Sequence, residues 1–113
     1  MEKKDCTCLE IPFNSRYEIH NIGVDETNGR YGEVRLYVCK KCHRNWLYYS
    51  VEYEAFKGSG RWYLGLITEE TAKTVTPENA VEILEGLKWH FYGGSYFNTS
   101  WEKGSGNIFV DLY

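Results

Sequence analysis

Hydrophobic and polar residues alternate over much of the first two thirds of the chain, and alternation at period two marks strands that bury one face. Tyr17 to about Val24 reads as extended. Val34, Leu36 and Val38 then face one way and Arg35 and Tyr37 the other, in a strand ending at Cys39. Residues 46–54 set Leu47, Tyr49, Val51 and Tyr53 against Tyr48, Ser50, Glu52 and Glu54, and Arg61 to Ile67 puts Trp62, Leu64 and Leu66 on one side. Thr27-Asn28-Gly29 suits a tight hairpin with positive φ, and Lys57-Gly58-Ser59-Gly60 reads as a second reversal. Four such strands imply an antiparallel meander.

The period changes after Thr76. Thr is a side-chain cap, Pro77 suits a first helical position, and Glu78 and Glu82 favour the positive end of a helix dipole. Ala80, Ile83, Leu84 and Leu87 fall at i, i+3, i+4 and i+7, which predicts one helix from Pro77 to Lys88 with a single stripe toward a core. Gly93-Gly94 keeps the aromatic stretch from Trp89 to Phe97 from continuing it. Beyond Gly104-Ser105-Gly106, alternating Ile108, Val110 and Leu112 read as a closing strand. The expected fold is α+β, an antiparallel sheet of about five strands with one packed helix. A chain of 113 residues suits a single domain spanning 1–113, with residues 1–10 as a short arm lacking apolar periodicity of its own.

Composition adds two facts. Four Trp, ten Tyr and five Phe are spread along the chain, more aromatic surface than a core of this size readily absorbs. The formal charge is −3, and the acid excess lies in residues 61–113, which hold 4 basic and 7 acidic side chains. Binding a polyanion needs clustered Lys and Arg, and the one such cluster is Lys40, Lys41, His43 and Arg44. The charged start, Met1 to Cys8, and the lack of any apolar run near ~18 residues imply a cytoplasmic protein with no membrane segment.

All four cysteines fall into two pairs, Cys6-Thr-Cys8 and Cys39-Lys-Lys-Cys42, with 30 residues between them. A two-residue gap on a turn between strands points both sulfurs the same way, and a second pair can complete a tetrahedral sulfur site. Over about 15 residues the second pair resembles the hairpin of zinc-ribbon proteins. The expected site is a structural zinc held by Cys6, Cys8, Cys39 and Cys42, pinning the arm to the sheet. The one-residue gap of the first pair demands a tighter turn than the usual ribbon spacing. Reduced cysteines packed as small hydrophobes, or disulfides in an exported protein, are the alternatives.

No phosphate loop, nucleophile elbow or paired-histidine metal motif is present. An enzyme would have to use His90 and Glu102 around residues 89–102. That segment more readily anchors a protein partner, since Tyr and Trp combine large contact area with a polar tip. The candidate partner-binding residues are Tyr92, Tyr96, Trp101, Glu82 and Glu85. The resulting expectation is a non-catalytic, zinc-stabilised protein-binding module, similar in character to bacterial immunity proteins, which neutralise a toxin domain. The competing reading is a small nucleic-acid-binding zinc ribbon that uses Lys40, Lys41 and Arg44, with Trp46 stacking on bases.

Overall fold

The four alternating stretches between Tyr17 and Ile67 form strands, and chain order becomes sheet order. A computed structural model describes residues 6–13, 16–52, 58–108 and 110. Its strands are β1 (Tyr17–Asp25), β2 (Gly32–Cys39), β3 (Asn45–Val51), β4 (Arg61–Ile67), β5 (His90–Gly94) and β6 (Thr99–Gly104). They pair antiparallel in the order β1-β2-β3-β4-β5-β6. Between β4 and β5 lie two short helices, α1 (Glu69–Ala72) and α2 (Ala80–Gly86), so the fold is an α+β meander.

The sheet has six strands where five were expected, because the aromatic stretch folds into a hairpin. Gly93 and Gly94 belong to β5, and the chain reverses over residues 95–98 with Asn98 at φ 54°. Gly93 stands opposite Trp62, and a Cβ there would lie 2.9 Å from Trp62 Cζ2. Glycine here makes room for a neighbouring indole instead of ending the strand. The expected closing strand is absent among the described residues. Ile108 and Val110 are buried, but the Ile108 N–H donates to the Glu85 carboxylate at 2.9 Å. Tyr53, Glu54, Lys57, Leu112 and residues 1–5 lie outside the described residues.

The expected helix is shorter than Pro77–Lys88. Thr76 and Asn79 lock residues 77–79 into a turn, with Asn79 N–H donating to Thr76 Oγ1 at 3.2 Å and Thr76 N–H to Asn79 Oδ1 at 2.8 Å. Thr76 thus caps the turn that leads into α2. Leu87 is extended, at ψ 154°, and ends it. The second helix, α1, is one turn capped by Thr68, whose Oγ1 accepts the Thr71 N–H at 3.0 Å. With four residues it has no apolar stripe to read.

The sheet buries its two faces differently. On the helix face, Val34, Leu36, Leu47, Tyr49, Val51, Tyr63 and Ile67 pack with Ala80, Val81 and Leu84 of α2 and with Ile108 and Val110. Gly65, opposite Leu47, lets α2 approach, since a Cβ there would meet the Leu87 side chain and lie 2.7 Å from Leu84 Cδ2. Asp25 is fully buried at the rim of this face, accepting from Tyr49 Oη at 2.7 Å, Thr27 N–H at 3.0 Å and Arg30 at 3.2 Å. On the opposite, sulfur face, Tyr37, Trp46, Leu64 and Phe91 pack with Cys8 and Cys39. Among the described residues no α-helix covers this side. The arm does.

Candidate metal centre

The two cysteine pairs reach one point from opposite directions. Cys39 closes β2 and Cys42 lies on the turn into β3, where Cys39 N–H bonds Arg44 O at 3.0 Å and His43 N–H bonds Cys39 O at 2.7 Å. His43 takes φ 62°, the left-handed residue that completes this tight reversal. Cys6 and Cys8 come from the arm, wound into a 3-10 turn over Thr7–Leu9 with Leu9 N–H on Cys6 O at 2.9 Å. That is the tighter turn a one-residue gap demands.

The four Sγ atoms lie within 4.8 Å of one another, Cys6 to Cys39 at 3.8 Å and Cys8 to Cys42 at 3.6 Å. These gaps are far beyond a disulfide bond of about 2.05 Å, and all four cysteines are free thiols. A tetrahedron of sulfurs about 2.3 Å from a central ion has edges of about 3.8 Å, so the donor set has the dimensions of a four-sulfur metal site.

Electrostatics divide the thiols. The Cys8 backbone is the largest influence on Cys6 and, with hydrogen bonds from the neighbouring thiols, draws it down to about 6 against the cost of burial. Burial pushes Cys42 up, but the backbone and side chain of Arg44 bond its sulfur and hold it below the usual thiol range. Cys8 is fully buried, as Cys39 is, and burial followed by its sulfur neighbours pushes the Cys8 thiol well up, so a cation would be needed for it to ionise.

No known protein family, characterised protein or solved structure matches the chain.

The remaining candidate residues do not converge. Arg44 bonds Cys42, which raises its own pKa, while Lys40 and Lys41 are exposed at the hairpin tip. Trp46, expected to stack on bases, is completely buried between Trp89 and Phe91. Tyr92 packs on Phe97 with ring centroids 4.7 Å apart, on the helix face, whereas Trp101 edges onto Phe91 on the sulfur face. Tyr96 is half exposed beneath the Arg61 guanidinium, 4.3 Å from its ring. Glu82 is exposed on α2, and Glu85 anchors Ile108. His90 is buried against Tyr63, its Nδ1 without a partner, and the carboxylate that acts on it is Glu85 rather than Glu102. Among the described residues no helix is long and apolar enough to cross a membrane.

Sequence reading reached the four cysteines but missed Arg44 as their partner. A basic residue two places after a cysteine carries that signal only when the turn brings its N–H and side chain back to the sulfur.

Proposed function

We propose that the chain is a non-catalytic protein-binding module stapled by structural zinc, of the type in which an immunity protein captures and neutralises a toxin domain. One observation carries the structural role of the metal: four sulfurs from segments 30 residues apart surround one point. With every position taken by thiolate there is no open place for a substrate, and the ion ties the arm to the sheet. Four thiolates and zinc add −2 to a chain already at −3, which favours a basic partner surface.

The nucleic-acid reading loses support because Arg44 serves Cys42 and Trp46 is sealed in the core, leaving Lys40 and Lys41 alone. An enzyme reading loses support because His90 is 2% exposed and burial holds it in the neutral form.

The test is metal analysis paired with capture. One zinc per chain is expected for the wild type and none for Cys39→Ser. A tagged chain is expected to retain one stoichiometric protein partner after nuclease treatment. Recovery of nucleic acid, or a partner that nuclease removes, would overturn the binding-module reading; an unchanged metal content in Cys39→Ser would overturn the site.

A further inference from the structure

We infer that β1 is the contact surface for a second copy of this chain: two β1 strands pair antiparallel about a two-fold axis at Ile19, carrying the sheet from one copy into the other. This contact is independent of the binding-module reading.

β1 lies at an edge of the sheet, with β2 on its inner side only. The hairpin tip fixes which way its backbone groups point. Lys40 N–H donates to Arg16 O at 2.9 Å, while Cys39 N–H turns the other way, to Arg44 O on the β3 side. Arg16 thus faces β2, as do Glu18 and His20 by alternation, and Tyr17, Ile19 and Asn21 turn N–H and C=O to the open edge. Among the described residues these outward groups have no partner. Such a row is a template for another strand, and β1 carries neither the proline nor the lysine that commonly blunts an edge. Its bulge, between Asn21 and Gly23, ends the regular stretch.

Side chains select the partner. Facing residues of an antiparallel pair both point toward the shared edge or both away from it, so across a two-fold axis they stand an even number of positions apart. Glu18 and His20 meet this condition. With the axis at Ile19, each Glu18 stands opposite His20 of the second copy in a non-hydrogen-bonded pair, the kind that brings side chains closest. Ile19 faces its own copy, Tyr17 faces Asn21, and about six backbone hydrogen bonds form.

Within one chain His20 Nε2 lies 2.9 Å from Glu18 Oε1, and both side chains are more than half exposed. Nδ1 and Oε2 are left over. A protonated imidazole donates from both nitrogens, one to each carboxylate, so pairing closes a ring of alternating acids and imidazoles. His20 stands opposite Leu36, which puts this ring on the helix face, whereas Ile19, 54% exposed, stands opposite Tyr37 on the sulfur face. The two-fold contact is therefore polar on one face and apolar on the other.

Other registers match less well. Moving the axis by one residue sets Glu18 against Glu18 or His20 against His20, and like groups directly opposite are unfavourable. An axis at Tyr17 faces Glu18 with Arg16 but takes Ile19 away from its own copy. The far edge, β6, has no such match, because its Glu102 and Lys103 are adjacent and cannot face one another across a two-fold axis.

The test is sedimentation equilibrium of the zinc-loaded full chain at about pH 6.5 and up to about 1 mM, with amide exchange read on the same samples. A concentration-dependent dimer is expected, with protection rising at the Tyr17 and Ile19 amides and unchanged at those of Glu18 and His20, which already face β2. Glu18→Lys and Ile19→Asp, at exposed positions, are each expected to weaken the dimer about tenfold or more with unchanged melting and zinc content. Adding His20→Glu to Glu18→Lys should restore it, since each acid then faces a cation again; an axis at Tyr17 predicts no such rescue. A chain still monomeric at about 1 mM, a dimer indifferent to Ile19→Asp, oligomers that grow past the dimer, as β1 on β6 would give, or no rescue by the double variant would each overturn the proposal.

Discussion

The helix face and the sulfur face belong to the same six strands, yet they exclude water by different means. Aliphatic side chains and two helices cover the first, and the interior is a conventional interdigitated core around Leu47, Tyr49 and Leu84. Aromatic rings and a short arm cover the second. Phe13 lies at φ 61° with its ring 4.9 Å from that of Trp62 and 5.6 Å from that of Tyr37. An arm of this length buries too little apolar surface to hold itself down against its conformational entropy. The comparison teaches where a metal tether of the proposed kind would stand in for a helix.

If so, the sulfur face should fail first when the tether is cut. Zinc removal by chelation, or Cys39→Ser, is expected to give the largest effect of any single change, several kcal/mol, as structural zinc sites do. Hydrogen exchange is the discriminating readout. Amides of residues 6–13 and of the Cys39–Arg44 turn should lose protection well before those of α2, and simultaneous loss on both faces would erase the distinction drawn here.

The converse change belongs on the other face. Leu84→Ala opens a cavity beneath α2 and is expected to cost about 2–5 kcal/mol by denaturant unfolding. Because Leu84 packs only into the helix-face cluster, zinc content should stay at the wild-type value. Gly65→Ala should act in the same direction by pushing α2 outward, through overpacking in place of a cavity.

The two faces also differ in how much of them the sequence discloses. The helix face was legible because its residues obey simple periods: two for Val34, Leu36, Leu47, Tyr49 and Val51, and about 3.6 for Ala80 and Leu84. The cysteine pairs were legible because spacing alone brings ligands together. The β5–β6 hairpin was not, since Gly93 and Gly94 look like breakers until Trp62 is known to lie beside the first of them. The seat of Phe13 on Tyr48 and Trp62 was hidden for a related reason. It depends on the β3–β4 register, which no local pattern states. Ile108 misled because alternation survives in a segment whose N–H bonds a helix side chain instead of a strand.

Asp25 offers a smaller test confined to the rim of the helix face. Burial alone would raise its carboxyl pKa, but hydrogen bonds from Thr27, Tyr49 and Arg30 outweigh that and hold it below the ordinary 3.8. A folded-state pKa below the unfolded one contributes stability that is present above about pH 4 and lost as pH falls through the depressed value. Tyr49→Phe removes one donor to a charged acceptor and is expected to cost about 1.5–3 kcal/mol at neutral pH. The deficit relative to wild type should shrink in acid, as an unfolding series from pH 7 to pH 3 would read.

His90 gives the smallest effect, and it reports on the seam between β5 and the helix face. Burial disfavours its imidazolium and Glu85 only partly offsets this, so its pKa is depressed from 6.5. Between the depressed value and 6.5 the unfolded chain binds the extra proton, and stability falls as pH falls through that window. His90→Phe keeps a ring against Tyr63, ring centroids there being 5.7 Å apart, and removes the titration. As pH falls below about 6.5, wild type should lose stability more steeply than the variant. Equal slopes for the two chains would mean that the imidazole charges without penalty and that this part of the helix face is open to water.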